Sequence, residues 1–403
     1  MSPIAIVLLA LAAPALALSA VTWMLYPLSV LFELRPRPRV RTDVSVSVIV
    51  PAYNEEVVLA GCVESILASG HRKLQVVLVD DGSTDDTLAI MHRYSHDERV
   101  HVITKANGGK GSALNAGIAV ATGEILLFVD ADGLFTPSTI PRMLAGFRHE
   151  KVGAVCGNDQ PVNVTGPLTG MLALMTHIGT GMTRRALALA GALPIVAGNS
   201  GAFRADVVRR LGGFRTDTVG EDLELTWRVQ HAGWDVEFAP HARVLAEVPS
   251  TVPGLWRQRV RWQRGLIQTA RIHAERLGAR PRRMIDLYLP VNLLSLLVLP
   301  VLQLATLVML PVAVLTGALT GLGALGAVLW GGTALSVGVA VLALVLDRAW
   351  RDLRLLVLLP LWPALSVMMS LVTVTAIWKE ASGAASRWDK LERTGVRTVP
   401  TTA

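Results

Sequence analysis

Glu124-Ile-Leu-Leu-Phe-Val-Asp-Ala-Asp-Gly133 is an apolar run that ends abruptly in two carboxylates, and its reading decides the fold. Glu124–Val129 is short, apolar and bounded by turn residues, which predicts a β-strand. Working back along the chain, helical stretches at roughly 56–69, 85–95 and 111–121 alternate with further strands. These strands are Ser45-Val-Ser-Val-Ile-Val-Pro51, Leu74–Val79 and Val100–Ile103. A β-α-β-α-β-α-β alternation predicts a parallel sheet with helices on both faces.

Each strand is followed by a polar cluster. Pro51-Ala-Tyr53-Asn54-Glu55-Glu56 follows the first, and Asp80-Asp81-Gly82-Ser83 the second. Lys105-Ala-Asn107-Gly108-Gly109-Lys110-Gly111 follows the third, and Asp130-Ala-Asp132-Gly133 the fourth. Open α/β sheets bind ligands beyond the carboxyl ends of their strands, and all four clusters fall on that edge. Asp130 and Asp132 suit Mg²⁺ or Mn²⁺, which often bridge a protein carboxylate to substrate phosphates. Taken alone, the same pair is also a polar turn. Asp80-Asp81-Gly82 alone is equally a turn, with Ser83 or Thr84 capping the next helix. The 107–111 loop offers backbone amides and lysines at a helix start, which suits phosphate, or else is a basic loop.

The chain has 403 residues, 52% hydrophobic and 17% charged, with a formal net charge of +7. Soluble domains average about 25% charged residues. This composition excludes a disordered chain, a disulfide scaffold and an ordinary cytosolic enzyme. The apolar excess is local: residues 1–32, 287–346 and 355–378 contain no Asp, Glu, Lys or Arg. A membrane span needs about 20 apolar residues. The first and third runs fit one span each and the second fits two, turning within Gly317–Gly332. Arg35, Arg37, Arg39 and Arg41 follow the first run, the reverse of a signal peptide's charge order. They place the N-terminus outside and the globular segment in the cytoplasm. Cys62 and Cys156 fit that placement as buried thiols. The expected organisation is a transmembrane helix at 1–34, a catalytic domain at 42–250, and interfacial helices at 251–284. Two spans at 285–346, a spanning or re-entrant segment at 353–378 and a basic tail at 379–403 follow.

Two more clusters lie beyond the sheet motifs. Val219-Gly-Glu221-Asp222-Leu-Glu224 places acids before a helical stretch, where a helix N-terminus favours negative charge. Gln258-Arg259-Val-Arg261-Trp262 opens a segment, 257–283, with nine Arg and one acid, Glu275, interleaved with apolar residues. That pattern suits a helix lying on anionic lipid. The adjoining apolar runs and the acidic clusters argue against nucleic acid as a partner. The nine histidines show no metal-ligand spacing.

Together these motifs resemble the family 2 glycosyltransferases of the GT-A fold, over residues 45 to about 265. The resemblance rests on Val50-Pro-Ala-Tyr-Asn-Glu55, Val79-Asp-Asp-Gly-Ser83, Gly109-Lys-Gly-Ser-Ala-Leu-Asn115 and Phe128-Val-Asp-Ala-Asp132. It implies an α/β fold with a Rossmann-like, mostly parallel sheet, flanked by transmembrane helices. It also implies a UDP-sugar donor, held by Pro51, Tyr53, Glu55 and Asp81, with Lys105 and Gly109 as further nucleotide contacts. Asp130 and Asp132 would hold the diphosphate through Mg²⁺ or Mn²⁺. Asp222, beside Glu221, matches the family's base, which takes the acceptor's proton. Gln258–Trp262 is similar to the Q-(Q/R)-x-R-W motif of processive polysaccharide synthases.

That likeness assigns acceptor and diphosphate binding to Gln258, Arg259, Arg261 and Trp262. Arg261 suits the departing diphosphate, and Trp262 suits stacking on a sugar. Gly198-Asn-Ser-Gly-Ala-Phe-Arg204 resembles the acceptor-side loop, implicating Asn199 and Ser200, while Asn158-Asp159-Gln160 follows a fifth strand and faces donor or acceptor sugar. Processive transfer to a β-linked polysaccharide is the expected activity, with GlcNAc or Glc as the sugar. Transfer of one sugar to a polyprenyl phosphate or other lipid-linked acceptor is the nearest alternative, and a transporter or scaffold with a non-catalytic domain is another. Export or accessory subunits are conceivable partners.

One conflict stands in the topology. Four spans put the tail outside, yet Lys379, Arg387, Lys390, Arg393 and Arg397 argue for inside. Trp388-Asp-Lys-Leu-Glu-Arg-Thr-Gly395 also looks like the cytoplasmic tails of similar synthases. A re-entrant or interfacial 355–378, interrupted by Pro360 and Pro363, resolves the conflict in favour of an inside tail.

Overall fold

The computed structural model describes residues 3–36, 43–317, 323–385 and 393–395. Arg37, Arg39, Arg41 and most of the 388–395 tail motif lie outside these residues. The strands are β1 (Val46–Ala52), β2 (Leu74–Asp80), β3 (Val100–Thr104), β4 (Ile125–Phe128), β5 (Leu134–Phe135), β6 (Val152–Pro161), β7 (Gly201–Arg204) and β8 (Asp235–Ala246). They form one sheet in the order β3-β2-β1-β4-β7-β6-β8-β5. The sheet is mixed rather than mostly parallel. β3-β2-β1-β4 is parallel as expected, whereas β7 runs antiparallel to both β4 and β6.

Helices α1 (Pro3–Glu33), α2 (Leu59–Leu67), α3 (Thr87–Arg93), α4 (Lys110–Val120) and α5 (Thr139–Ala145) come first. Then follow α6 (Pro167–Met175), α7 (Arg184–Leu189), α8 (Ala205–Arg210), α9 (Glu221–His231), α10 (Val252–Ile272) and α11 (Ala274–Leu277). The C-terminal set is α12 (Met284–Leu293), α13 (Leu299–Leu315), α14 (Gly323–Leu346) and α15 (Trp362–Ala381). The expected first helix starts late, because Glu55–Val58 is spent on a turn pinned to the next loop. β1, β2 and β4 are buried almost throughout, and two apolar cores lie on opposite faces of the sheet.

By length and composition, two helical stretches suit a membrane among the described residues: Met284–Leu315 and Trp350–Ala381. The latter opens as a 3₁₀ segment, Trp350–Leu361, and both its ends are tied to the α/β unit. Asp352 at its start meets His177 at 3.1 Å. Glu380 at its end meets Arg264 at 2.6 Å and Arg271 at 3.1 Å, both on α10. α1 is tied in the same way, by Glu33 to Arg185 at 2.6 Å and by Arg35 to Glu237 at 2.9 Å.

His177 and Arg185, which carry no sequence motif, converge on Asp347 just beyond α14, each at 2.7 Å. Burial opposes the His177 charge, but hydrogen bonds to Asp347 and Asp352 push its pKa up to about 9. A histidine raised above its unfolded value stabilises the fold fully below that value, and the contribution is lost as pH rises through the folded pKa. From 6.5 to 9 the loss amounts to about 3 kcal/mol. The melting temperature of the protein is therefore expected to fall between these pH values, and His177→Gln to flatten that fall. An equal slope in both proteins would show that the cluster does not couple to folding.

Candidate active site

The loop after β1 is built against the loop after β2. Asn54 sits at φ 55°, and its side-chain oxygen accepts the Thr84 N–H at 2.7 Å. The Glu55 N–H reaches the Thr87 hydroxyl at 2.8 Å. Pro51 lies within β1, opposite Val79, and Tyr53 projects into solvent. The next three expected nucleotide contacts meet one another: Asp81, buried, pairs with Lys105 at 2.6 Å and accepts the Gly109 N–H at 2.8 Å. Gly82 is needed here, because a Cβ would stand 2.9 Å from the Asn107 nitrogen and the backbone has φ +77°.

Asp130 and Asp132 leave the end of β4 in different electrostatic settings. Burial opposes ionisation of Asp130, but Lys110 at 2.6 Å holds its carboxyl below the usual range. Asp132 is raised by burial even though Arg393 lies 2.7 Å away. Arg393 also reaches Glu55 at 3.3 Å, and the Thr394 N–H donates to Glu247 at 2.6 Å. The described end of the tail therefore lies in the acidic cleft.

The acid pair opens α9, where unpaired helix amides favour anions. Glu221 lies 3.6 Å from Lys110, and its burial pushes its pKa up to about 7. Asp222 accepts the Gly198 N–H at 2.9 Å and the Leu223 N–H at 2.8 Å. α10 starts where the Thr251 hydroxyl caps it, followed by Pro253 in the first turn. It crosses α9 at two glycines: a Cβ on Gly265 would stand 2.9 Å from the Gly220 Cα.

Arg261 is near enough to Asp130 for its charge to favour the carboxylate. The Arg259 guanidinium stacks on the half-exposed Trp262 ring, 4.3 Å from the centroid. Gln258 is partly buried one turn before Trp262. Asn199 acts as a strut: its side-chain oxygen accepts the Asp130 N–H at 3.0 Å. Ser200, next to it, is buried.

Three residues of the site escape a sequence reading. Lys110 belongs to a quoted motif, but its bond to Asp130 was not visible there. Glu247 follows β8 without any pattern. Arg393 is signalled only by the tail's likeness to other synthases.

Among the described residues no three His, Cys, Asp or Glu side chains gather as a metal cage. Mg²⁺ and Mn²⁺ do not require one, since one or two carboxylates plus substrate phosphates suffice. Asp130 and Asp132, with acidic charge left over around Asp132, fit such an ion.

A strand edge carrying paired acids, with an acid-led helix and a basic helix beside them, is the arrangement of a glycosyltransferase domain of the GT-A type. Residues 47–212 match the family model Glycosyl transferase family 2. Poly-beta-1,6-N-acetyl-D-glucosamine synthase of Staphylococcus aureus (strain COL) is 29% identical over 238 residues, 58% of each chain. The Staphylococcus epidermidis protein of the same name is 30% identical over 223 residues, 55% of this chain and 54% of that one. The chain thus spans little more than half the length of these curated relatives. A solved mannosyltransferase from Pyrobaculum calidifontis, in complex with GDP-Man and Mn²⁺, has a TM-score of 0.65 at 24% identity. The alignment covers 93% of this chain and 100% of that one, and shows the shared fold.

Proposed function

We propose that the protein is an inverting, processive glycosyltransferase that adds GlcNAc from a UDP-sugar to a β-linked polysaccharide at a membrane. The observation that carries this reading is the convergence of Asp130, Lys110, Glu221 and Asp222 beneath the helix bearing Gln258–Trp262. The named staphylococcal relatives support the choice of sugar. Asp222 takes the proton of the acceptor hydroxyl as its oxygen bonds to the anomeric carbon. The bond from that carbon to the diphosphate breaks, and UDP leaves with the electron pair. Lys110 and Arg261 offset the growing charge on the diphosphate. A Mg²⁺ or Mn²⁺ ion bound by Asp130 and Asp132 supplies further charge neutralisation. The test is a panel of labelled UDP- and GDP-sugars with purified protein, sizing the product. A polymer or ladder supports the reading; a single glycolipid supports one-step lipid transfer; no nucleotide release overturns both.

Arg393 and a cation share Asp132 as a partner. Arg393→Ala is expected to tighten Mn²⁺ binding about tenfold, equivalent to roughly 1.4 kcal/mol for one partly solvated ion pair. Titration followed by electron paramagnetic resonance checks this, and unchanged or weaker Mn²⁺ binding would exclude the competition.

The same contacts support a topology. With 350–381 tied to the α/β unit at both ends, that segment is re-entrant, and the catalytic unit and the tail share the cytoplasmic side. A cysteine at Thr402 is expected to resist an impermeant thiol reagent on intact cells. Labelling there would refute an inside tail.

A further inference from the structure

We infer that Gln268 is a positioning residue for Asp222, and that Glu380, at the end of α15, holds Gln268 in the orientation this role needs. The inference rests on the transferase reading above and adds to it what fixes the place of the proposed base. The first observation is how α9 begins. Its N-cap is Gly220, which has no side chain to bond the free amides of the first turn. The chain entering it is exposed at Arg215, Thr216 and Asp217, so little packing fixes the entry there. Of the bonds to the Asp222 carboxylate, the one from Leu223 moves with the helix, and the one from Gly198 reaches only the side chain.

The second observation is that α10 supplies the missing support. Gln268 Oε1 accepts the Val219 N–H and the Thr218 hydroxyl, each at 3.0 Å. The Thr218 oxygen in turn accepts the Gly220 N–H at 3.1 Å. Residues 218–220 are thereby pinned immediately before Glu221 and Asp222. A shift of this loop would carry the first turn of α9, and the proposed base with it, relative to the acids after β4.

The third observation is what holds Gln268. Its Nε2 donates to Glu380 Oε1 at 2.9 Å. The amide has one orientation that satisfies both sides: a backbone N–H only donates and a carboxylate only accepts, so the oxygen faces Val219 and the nitrogen faces Glu380. The Glu380 side chain is 7% exposed and receives Arg264 at 2.6 Å and Arg271 at 3.1 Å. Charge-assisted bonds of this kind are shorter and stronger than neutral ones. Arg264, Gln268 and Arg271 stand at i, i+4 and i+7 on α10, so one face of that helix converges on one carboxylate. The apolar segment Trp350–Ala381 is thus linked, through the Gln268 amide, to the start of the helix that carries Asp222. Both residues act through the 218–220 loop rather than on the substrate.

The test uses the full chain in lipid nanodiscs, with UDP-GlcNAc turnover and UDP titration read side by side. Gln268→Ala is expected to lower kcat about tenfold or more while KM and UDP affinity stay within about twofold, since a misplaced base costs rate rather than binding. Gln268→Glu keeps the acceptor for Val219 and Thr218 but sets a second carboxylate against Glu380, and should lose about as much. Combining it with Glu380→Gln restores the bond with donor and acceptor exchanged, and is expected to recover kcat to within about threefold of the unaltered protein. The exchange pair carries the test even where Gln268→Ala does not fold. A kcat for Gln268→Ala within about twofold of the unaltered protein would overturn the positioning role. So would an exchange variant no more active than Gln268→Glu alone. Parallel losses of kcat, UDP affinity and melting temperature would also overturn it, by marking a purely structural role. Failure of the unaltered protein to release nucleotide from any donor would overturn the transferase reading, and this proposal with it, and shows in a separate turnover assay.

Discussion

Asp222→Asn is expected to abolish sugar transfer while nucleotide binding stays within twofold of the unaltered protein. The substitution preserves shape and one accepting oxygen, so of the two bonds from the Gly198 and Leu223 N–H groups one survives and one is lost. What it removes is the capacity to accept a proton. General-base catalysis contributes about 10²–10⁴-fold to rate, and the loss should fall in that range or beyond in steady-state UDP release. The proposed nucleotide contacts lie elsewhere, on the loops after β1, β2 and β3, which is why binding should persist. Glu221 is the control. Its pKa of about 7 and its position beside Lys110 make it a neighbour that tunes the site's charge. Glu221→Gln should lower the rate less than Asp222→Asn does. Retained turnover in the Asp222 variant, or a larger loss in the Glu221 variant, would move the base to Glu221.

The second large effect is expected from a residue with no chemistry of its own. Gly265→Ala places a methyl group 2.9 Å from the Gly220 Cα and 3.0 Å from the Gly220 nitrogen. Both are backbone atoms, so no side chain can turn aside; α10 must move away from the start of α9. Overpacking of this kind costs about 1–3 kcal/mol in stability. The functional loss should be greater, because α9 begins with the acid pair and α10 carries Arg261 and Trp262. A misplacement of about 1 Å in reacting groups can cost on the order of 10²-fold in rate. Transfer should therefore fall by about that factor, while UDP affinity and folding persist. A rate within threefold of the unaltered protein would show that this crossing does not set the geometry.

The parallel half of the sheet was legible because its strands are uninterrupted apolar runs separated by helical stretches. The short strands that run antiparallel to their neighbours, β7 and β5, were not. β5 has two residues and β7 has four, too short for any period to show. The acid pairs and Gln258–Trp262 were legible as local motifs, and the structure brings Arg261 near Asp130. The contacts made by individual residues of these motifs were not legible. Arg259 stacks on its own helix, and Asn199 braces a backbone amide rather than facing outward. These outcomes depend on what packs alongside, which a spacing pattern does not encode. His177 and Arg185 carried no signal at all, since their partner Asp347 lies more than 160 residues away.

The docking of Arg393 beside Glu55 closes a contact spanning 338 residues of chain. During synthesis at about 10 residues per second, Glu55 precedes Arg393 by roughly half a minute. The α/β unit can assemble from the ribosome first, with its cleft still lacking that arginine. A nascent chain whose α/β unit folds at that stage has a more acidic cleft around Glu55 and Asp132. Lys110 already faces Asp130, so what Arg393 adds on emerging is the counter-charge of Asp132 and Glu55.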